Sequence, residues 1–316
     1  MTLPRWPPST DDHQAVLENP RLTDLLENHQ RPILWLEVAP PRGLNVESLL
    51  GRLGALRGQV DAINLVDNAL GRVKMSPLVF AAMIKQRLQI PVAINVSCRD
   101  RNRFALRSDL IGAAALGIDA VVALQGDKLP PDGSAGARPV HDLDTFGLLR
   151  MIADLSRGDT GEGKRLLQTL PNWTVGAVGN PHRPNLAREF DLMRRKAAAG
   201  ARFVVTQPVF EPGAATRFAA EAHRHGLKVI VGILPVKREA MAVYMKEKIK
   251  DLSGAAQHFD RYAGMTEAAA REASITHNLE LMDTLAGAVA GFNIMSGGGP
   301  SLAIELALAW RRHRGS

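Results

Sequence analysis

The 316-residue chain has a single cysteine, Cys98. It can form no internal disulfide and no cysteine-based zinc site, which favours a reducing compartment. Aromatic residues make up only 5% of the chain. No basic stretch is interleaved with aromatics, so single-stranded nucleic acid finds no stacking platform. No apolar run reaches the roughly 18 residues of a hydrophobic membrane span. The opening MTLPRWPPSTDDHQ holds no apolar h-region. No signal peptide is therefore expected there, and the cytoplasm is the expected location. The nine histidines include no H-E-x-x-H or comparable spacing, so no metal site is expected.

What is present is ordinary for a globular enzyme: 46% hydrophobic and 22% charged residues. Lysine and arginine exceed aspartate and glutamate by 39 to 32, a net charge of +7. The arginines are scattered along the chain. A modest field that draws in an anionic substrate fits this better than a nucleic-acid partner.

Eight short, nearly continuous apolar runs occupy residues 33–38, 60–66, 91–96, 120–124, 174–178, 202–206, 229–233 and 290–295. Strands buried on both faces read this way. Amphipathic stretches alternate with them, and Gly117, Gly200 and Gly226 stand where helices should end. An alternating βαβα order implies a parallel sheet. Eight units predict an α/β fold of the (β/α)8 (TIM barrel) type, which takes roughly 250 residues. No G-x-G-x-x-G turn follows the first strand, which argues against a dinucleotide-binding Rossmann domain. Residues 1–31 read as an N-terminal arm with a short helix near Pro20–Glu27, and 32–316 as one catalytic barrel. Two insertions interrupt the rhythm, 126–143 and 250–265. The first is rich in glycine and proline and is a candidate lid.

In such barrels the site lies where strands hand over to βα loops. Glu37 interrupts the apolar run I-L-W-L-E-V. A carboxylate there is costly unless paired or functional. Burial would raise its pKa and suit it to general-acid work; the bland alternative is an ion pair with an arginine such as Arg99. Asp127 follows Gly126 in Q-G-D-K and faces a ligand or caps a turn. Gln207 ends V-V-T-Q, and its amide suits a heterocycle with mixed donors and acceptors. In C-R-D-R-N, Asp100 reads as a helix N-cap, Arg99 or Arg101 as a phosphate ligand, and Cys98 as a buried small side chain. S-G-G-G-P at 296–300 reads as a phosphate cradle or a tight turn.

These motifs resemble the methylenetetrahydrofolate reductase family. The matching pieces are L-E-V-A-P-P-R (36–42), A-L-Q-G-D (123–127), V-G-N-P (178–181), R-R-K-A-A-A-G-A-R-F-V-V-T-Q-P-V-F (194–210) and V-G-I-L-P-V (231–236). They keep the family's order over about residues 33–300. V-D-N-A-L-G-R-V-K-M-S-P and C-R-D-R-N resemble the branch found alongside corrinoid and one-carbon pathways.

The resemblance implies a flavin-dependent reduction of 5,10-methylenetetrahydrofolate to 5-methyltetrahydrofolate, or its reverse. It implies FAD as the default flavin, with FMN as the alternative. Glu37 matches the proton donor to folate N10, and Asp127 the stabiliser of the 5-iminium cation. Gln207 matches a pterin contact, and Lys196 a lysine near the flavin's phosphate or ribitol. Asn68, Asn95, Gln125, Gly126, Asp127 and Asn180 fall at cofactor-binding positions. The chain departs from the family's pattern in places. Val66 stands for a threonine, Asn95 for a histidine and Gln125 for an arginine. The arginine beyond strand eight is missing, and Met241 or Met245 stands for a stacking aromatic. The electron donor is therefore open between NAD(P)H and a partner protein. A flavin-poor folate-binding subunit that acts only in a complex is the rival expectation. A homo-oligomer is expected.

Overall fold

The computed structural model describes residues 22–27, 31–129, 136–167, 169–170, 173–297 and 299–315; the side chains of 250, 251, 253 and 254 lie outside the description. Eight strands form a closed parallel barrel: β1 (Ile33–Val38), β2 (Ala62–Leu65), β3 (Val92–Ser97), β4 (Ala120–Leu124), β5 (Thr174–Gly179), β6 (Phe203–Pro208), β7 (Lys228–Ile233) and β8 (Gly291–Met295). Helix α1 (Leu22–Glu27) precedes β1. The helices between strands are α2 (Glu47–Gly54), α3 (Pro77–Leu88), α4 (Arg103–Ala115), α5 (Thr145–Ser156), α6 (Leu186–Ala198), α7 (Pro212–Arg224), α8 (Glu239–Lys248) and α9 (Glu267–Leu285), and α10 (Ser301–His313) follows β8. Each predicted strand is present to within two residues at either end. Gly117, Gly200 and Gly226 all take positive φ, as helix-ending glycines should.

Side chains alternate along each strand, so Ile33, Trp35 and Glu37 share the inward face of β1. Trp35 and Phe203 meet edge to face inside the barrel with centroids 5.4 Å apart. Small residues make room for them. Ala62, Ala93 and Ala120 line the same interior, and a Cβ on Gly176 would lie 2.3 Å from the Phe203 ring. Large and small side chains thus interlock across the taper. Leu22 and Leu26 of α1 pack into this interior cluster, so the described part of the predicted arm is a plug. Residues 20 and 21 of its predicted helix lie outside the described residues.

Outward residues of the strands pack against the helices in a second, larger core. The 250–265 insertion adds a third. It forms a 3-10 helix, Lys250–Tyr262, whose Phe259 and Tyr262 pack with Phe210 and with Met245 of α8. Among the described residues no helix is long and apolar enough to cross a membrane.

Candidate active site

At the middle of the barrel the apolar filling gives way to asparagines. Asn64, Asn95 and Asn293 are all buried on inward positions of β2, β3 and β8. Strand register sets Glu37 beside Asn64 on one side and Met295 on the other, while Asn293 sits beside Trp35 one step below. Asn293 Nδ2 donates to Glu37 Oε2 at 2.9 Å, and Asn64 Nδ2 to Asn293 Oδ1 at 3.4 Å. Glu37 forms no ion pair with Arg99. It is half-buried, and burial pushes its carboxyl up to about 7, opposed by the Asn293 hydrogen bond and reinforced by the negative charge of Asp127. It can therefore hold or release a proton near neutral pH.

Asp127 stands at the mouth, where Oδ2 accepts the Leu70 N–H at 2.5 Å and the backbone carbonyl accepts from Arg99 Nη1 at 2.9 Å. The donor segment is unusual. Asn68 and Leu70, both non-glycine, have φ of 46° and 56°, a left-handed conformation that costs energy unless its surroundings hold it. Arg99 supplies part of the hold by donating to Asn68 O at 3.2 Å. Asn68 Oδ1 accepts the Lys74 N–H at 3.0 Å.

Arg99 is 2% exposed and grips Asp100 through two bonds of 2.6 and 2.7 Å. This corrects two expectations. Asp100 is not the N-cap of α4; Asn102 is, accepting from Ala105 N–H at 2.9 Å. Neither arginine is a free phosphate ligand, because Arg101 is spent on Asp67 at 2.6 Å and Asp109 at 2.7 Å. These arginines organise the β2 and β3 loops from within. Cys98 is buried, as expected, and burial pushes its thiol up to about 12.

Gly126 explains the tight approach of these loops. It has φ +92°, and a Cβ there would lie 2.3 Å from Ser97 Oγ and 2.7 Å from Arg99 Cβ. The Gly126→Ala protein is expected to lose roughly 2–4 kcal/mol of stability from strain and overpacking. Urea unfolding measures this; a change below about 0.5 kcal/mol would show that the clash relaxes freely.

The other candidates divide. Gln207 is half-buried on the inward face of β6, beside an irregularity in its pairing with β7. No side-chain hydrogen bond holds it among the described residues. Asn95 is buried, and its Oδ1 has no donor among them. Gln125 is exposed and bonds His141 Nδ1 at 2.7 Å, tying the start of the 126–143 insertion to its end. Residues 130–135 of that candidate lid lie outside the described residues.

Asn180 is turned into its own loop, where Oδ1 accepts the His182 N–H at 2.9 Å. Lys196 is buried, and Nζ donates to Val178 O at 2.7 Å. Burial lowers its pKa. Met241 of α8 reaches the β8 loop, where a Cβ on Gly297 would lie 2.8 Å from its Cε. That loop contains a tight turn, Gly299 N–H to Ser296 O at 2.8 Å. Two residues escaped the sequence reading, Asn64 and Asn293. Each interrupts an apolar strand, A-I-N-L and F-N-I-M, just as Glu37 interrupts its own.

The family model for methylenetetrahydrofolate reductase matches residues 21–295. The chain belongs to that family. Among curated members, the 5,10-methylenetetrahydrofolate reductase of Salmonella typhimurium is 28% identical over 208 residues, 63% of this chain and 63% of that protein. A probable methylenetetrahydrofolate reductase (NADPH) of Caenorhabditis elegans is 26% identical over 245 residues, 73% of this chain but 34% of that protein. The chain thus matches under two thirds of either reductase. Among solved structures, an uncharacterized protein from Clostridium thermocellum, described as binding two copies of 5-methyl-5,6,7,8-tetrahydrofolic acid, shares the fold. Its TM-score is 0.62 at 17% identity, with 93% of this chain and 98% of that one covered.

Proposed function

We propose that this member of the reductase family interconverts 5,10-methylenetetrahydrofolate and 5-methyltetrahydrofolate with a bound flavin, as a cytoplasmic enzyme of one-carbon metabolism. The observation that carries the reading is Glu37, an acid at the barrel mouth whose carboxyl is pushed up to about 7. The reaction needs that property. The five-membered ring of methylenetetrahydrofolate opens only when N10 receives a proton, leaving an electrophilic 5-iminium cation. Glu37 supplies the proton and takes it back in the reverse direction. Asp127, a fixed negative group at the same mouth, lowers the energy of the cation. Gln207, whose amide has no hydrogen-bond partner among the described residues, matches the mixed edge of a pterin.

One open acceptor supports a flavin ring at this site. Buried Asn95 Oδ1 lacks a donor among the described residues, and the Asn68–Leu70 segment is tied to Asp127, next to Gln125 and Gly126, at the mouth. Lys196 and Asn180 lie on the β5 side and are the remaining groups assigned to hold it. Bound there, a reduced flavin supplies the hydride. FAD is the proposed form and FMN the alternative. NAD(P)H or an electron-transfer protein is the proposed source of electrons.

The second reading, a flavin-poor folate-binding subunit, is favoured by one observation. Arg99 and Arg101 are both neutralised by carboxylates, which leaves fewer cations for a flavin's phosphates. The visible spectrum of the purified protein, followed by anaerobic titration with 5-methyltetrahydrofolate, separates the two. A flavin band that bleaches on titration is expected. Colourless protein that binds folate, and stays inactive when FAD or FMN is added, would replace the first reading with the second.

A further inference from the structure

The Glu37 side chain is not symmetric in its surroundings. Oε2 receives the Asn293 amide at 2.9 Å. Oε1 has no hydrogen bond among the described residues. Asn293 is itself 0% exposed, and its other amide atom is claimed by Asn64, which is 1% exposed. An amide whose oxygen receives a donor must present its nitrogen at the other end. The Asn64 contact agrees with the face of Asn293 that an ionised Glu37 selects, its amide nitrogen. In a protonated carboxyl the carbonyl oxygen is the better acceptor and the hydroxyl oxygen the donor.

We propose that Asn293, oriented by Asn64, is the positioning residue for Glu37: it makes Oε2 the permanent acceptor and keeps the transferable proton on Oε1. This rests on the proposed reduction for its functional meaning. The geometry itself does not depend on it.

The alternatives on neighbouring elements are few. From β2 the inward neighbour of Glu37 is Asn64, and from β8 the neighbours are Asn293 and Met295, none of them charged. Asp127, from beyond β4, is the charged group that acts on it, and it acts in the opposite sense to Asn293. Asn293 is therefore the group that restrains the rise caused by burial and Asp127. Two buried asparagines in the heart of a barrel are expensive side chains for a purely structural filler. Asn64 Oδ1 even lacks a donor among the described residues.

The test is an infrared titration of the Glu37 carboxyl in the folded, substrate-free protein, with Glu37→Gln identifying its band. Asn293→Leu, close in volume, removes the donor. The midpoint is expected to rise by about one pH unit, the scale of one hydrogen bond to a charged group. Asn64→Ala leaves the donor but frees its orientation. A smaller shift of the same sign is expected, which keeps the test open if Asn293→Leu does not fold. A merely structural role would lower the melting temperature and leave the midpoint alone. Midpoints unmoved in folded variants would overturn the assignment. A moved midpoint in a protein that turns over no folate would uphold it and reject the proposed reduction instead. With turnover, the pH limb of kcat should shift with the midpoint while KM for folate holds.

Discussion

The Glu37→Gln protein is expected to turn over 5,10-methylenetetrahydrofolate about 10²–10⁴-fold more slowly than the parent, the range for loss of one positioned general acid. Glutamine keeps the shape of the protonated acid and its acceptor for Asn293, but has no proton to give at N10. Folate affinity should therefore change little, and the loss should fall on kcat. Initial rates and a folate titration separate the two. Turnover within about threefold of the parent would remove Glu37 from the mechanism.

The same variant should change stability in the opposite direction. The Glu37 carboxyl sits at about 7 in the folded protein, raised from 4.5 by burial. A raised carboxyl stabilises the fold below its unfolded value and withdraws that contribution as pH rises through the folded value. At pH 8 the parent thus carries an ionised, desolvated carboxylate that glutamine lacks. Glu37→Gln should be more stable there by roughly 2–3 kcal/mol. The gain should shrink toward pH 5, as trade-offs between activity and stability predict.

The Asp127→Asn protein should turn over about 10²–10³-fold more slowly, because a preorganised charge is removed from beside a developing cation. Asparagine can still accept from the Leu70 N–H, so the loop geometry should survive. A second readout comes with it. Asp127 raises the Glu37 pKa, so without its charge Glu37 releases its proton more readily. The pH above which turnover declines should therefore move down in Asp127→Asn. An unchanged rate together with an unchanged pH limb would place Asp127 in the loop architecture alone.

The barrel was legible because its strands are apolar on both faces and its helices are not, a difference of pattern that eight repetitions make unmistakable. Glu37 was legible for the same reason: one carboxylate in I-L-W-L-E-V stands out against its strand. Asn64 and Asn293 stood out equally in A-I-N-L and F-N-I-M. Their meaning depended on closure of β8 against β1, which joins residues 256 positions apart. Arg99 and Arg101 were misread because sequence displays a cation but not its partner. Only the folded loops bring Asp67, Asp100 and Asp109 to them. Asp100 does not cap because the helix begins only at Arg103, which makes Asn102 the N-cap and leaves Asp100 to pair with Arg99. The strained turn at Asn68 and Leu70 carried no signal, since leucine is a poor guess for a left-handed residue.

The pH dependence of single-turnover 5-methyltetrahydrofolate formation, measured on flavin-loaded protein reduced beforehand, tests the central claim most directly. If Glu37 is the acid, the rate should be flat below about pH 7 and fall tenfold per unit above it. A rate that runs level through pH 7 to about pH 9 would contradict the account.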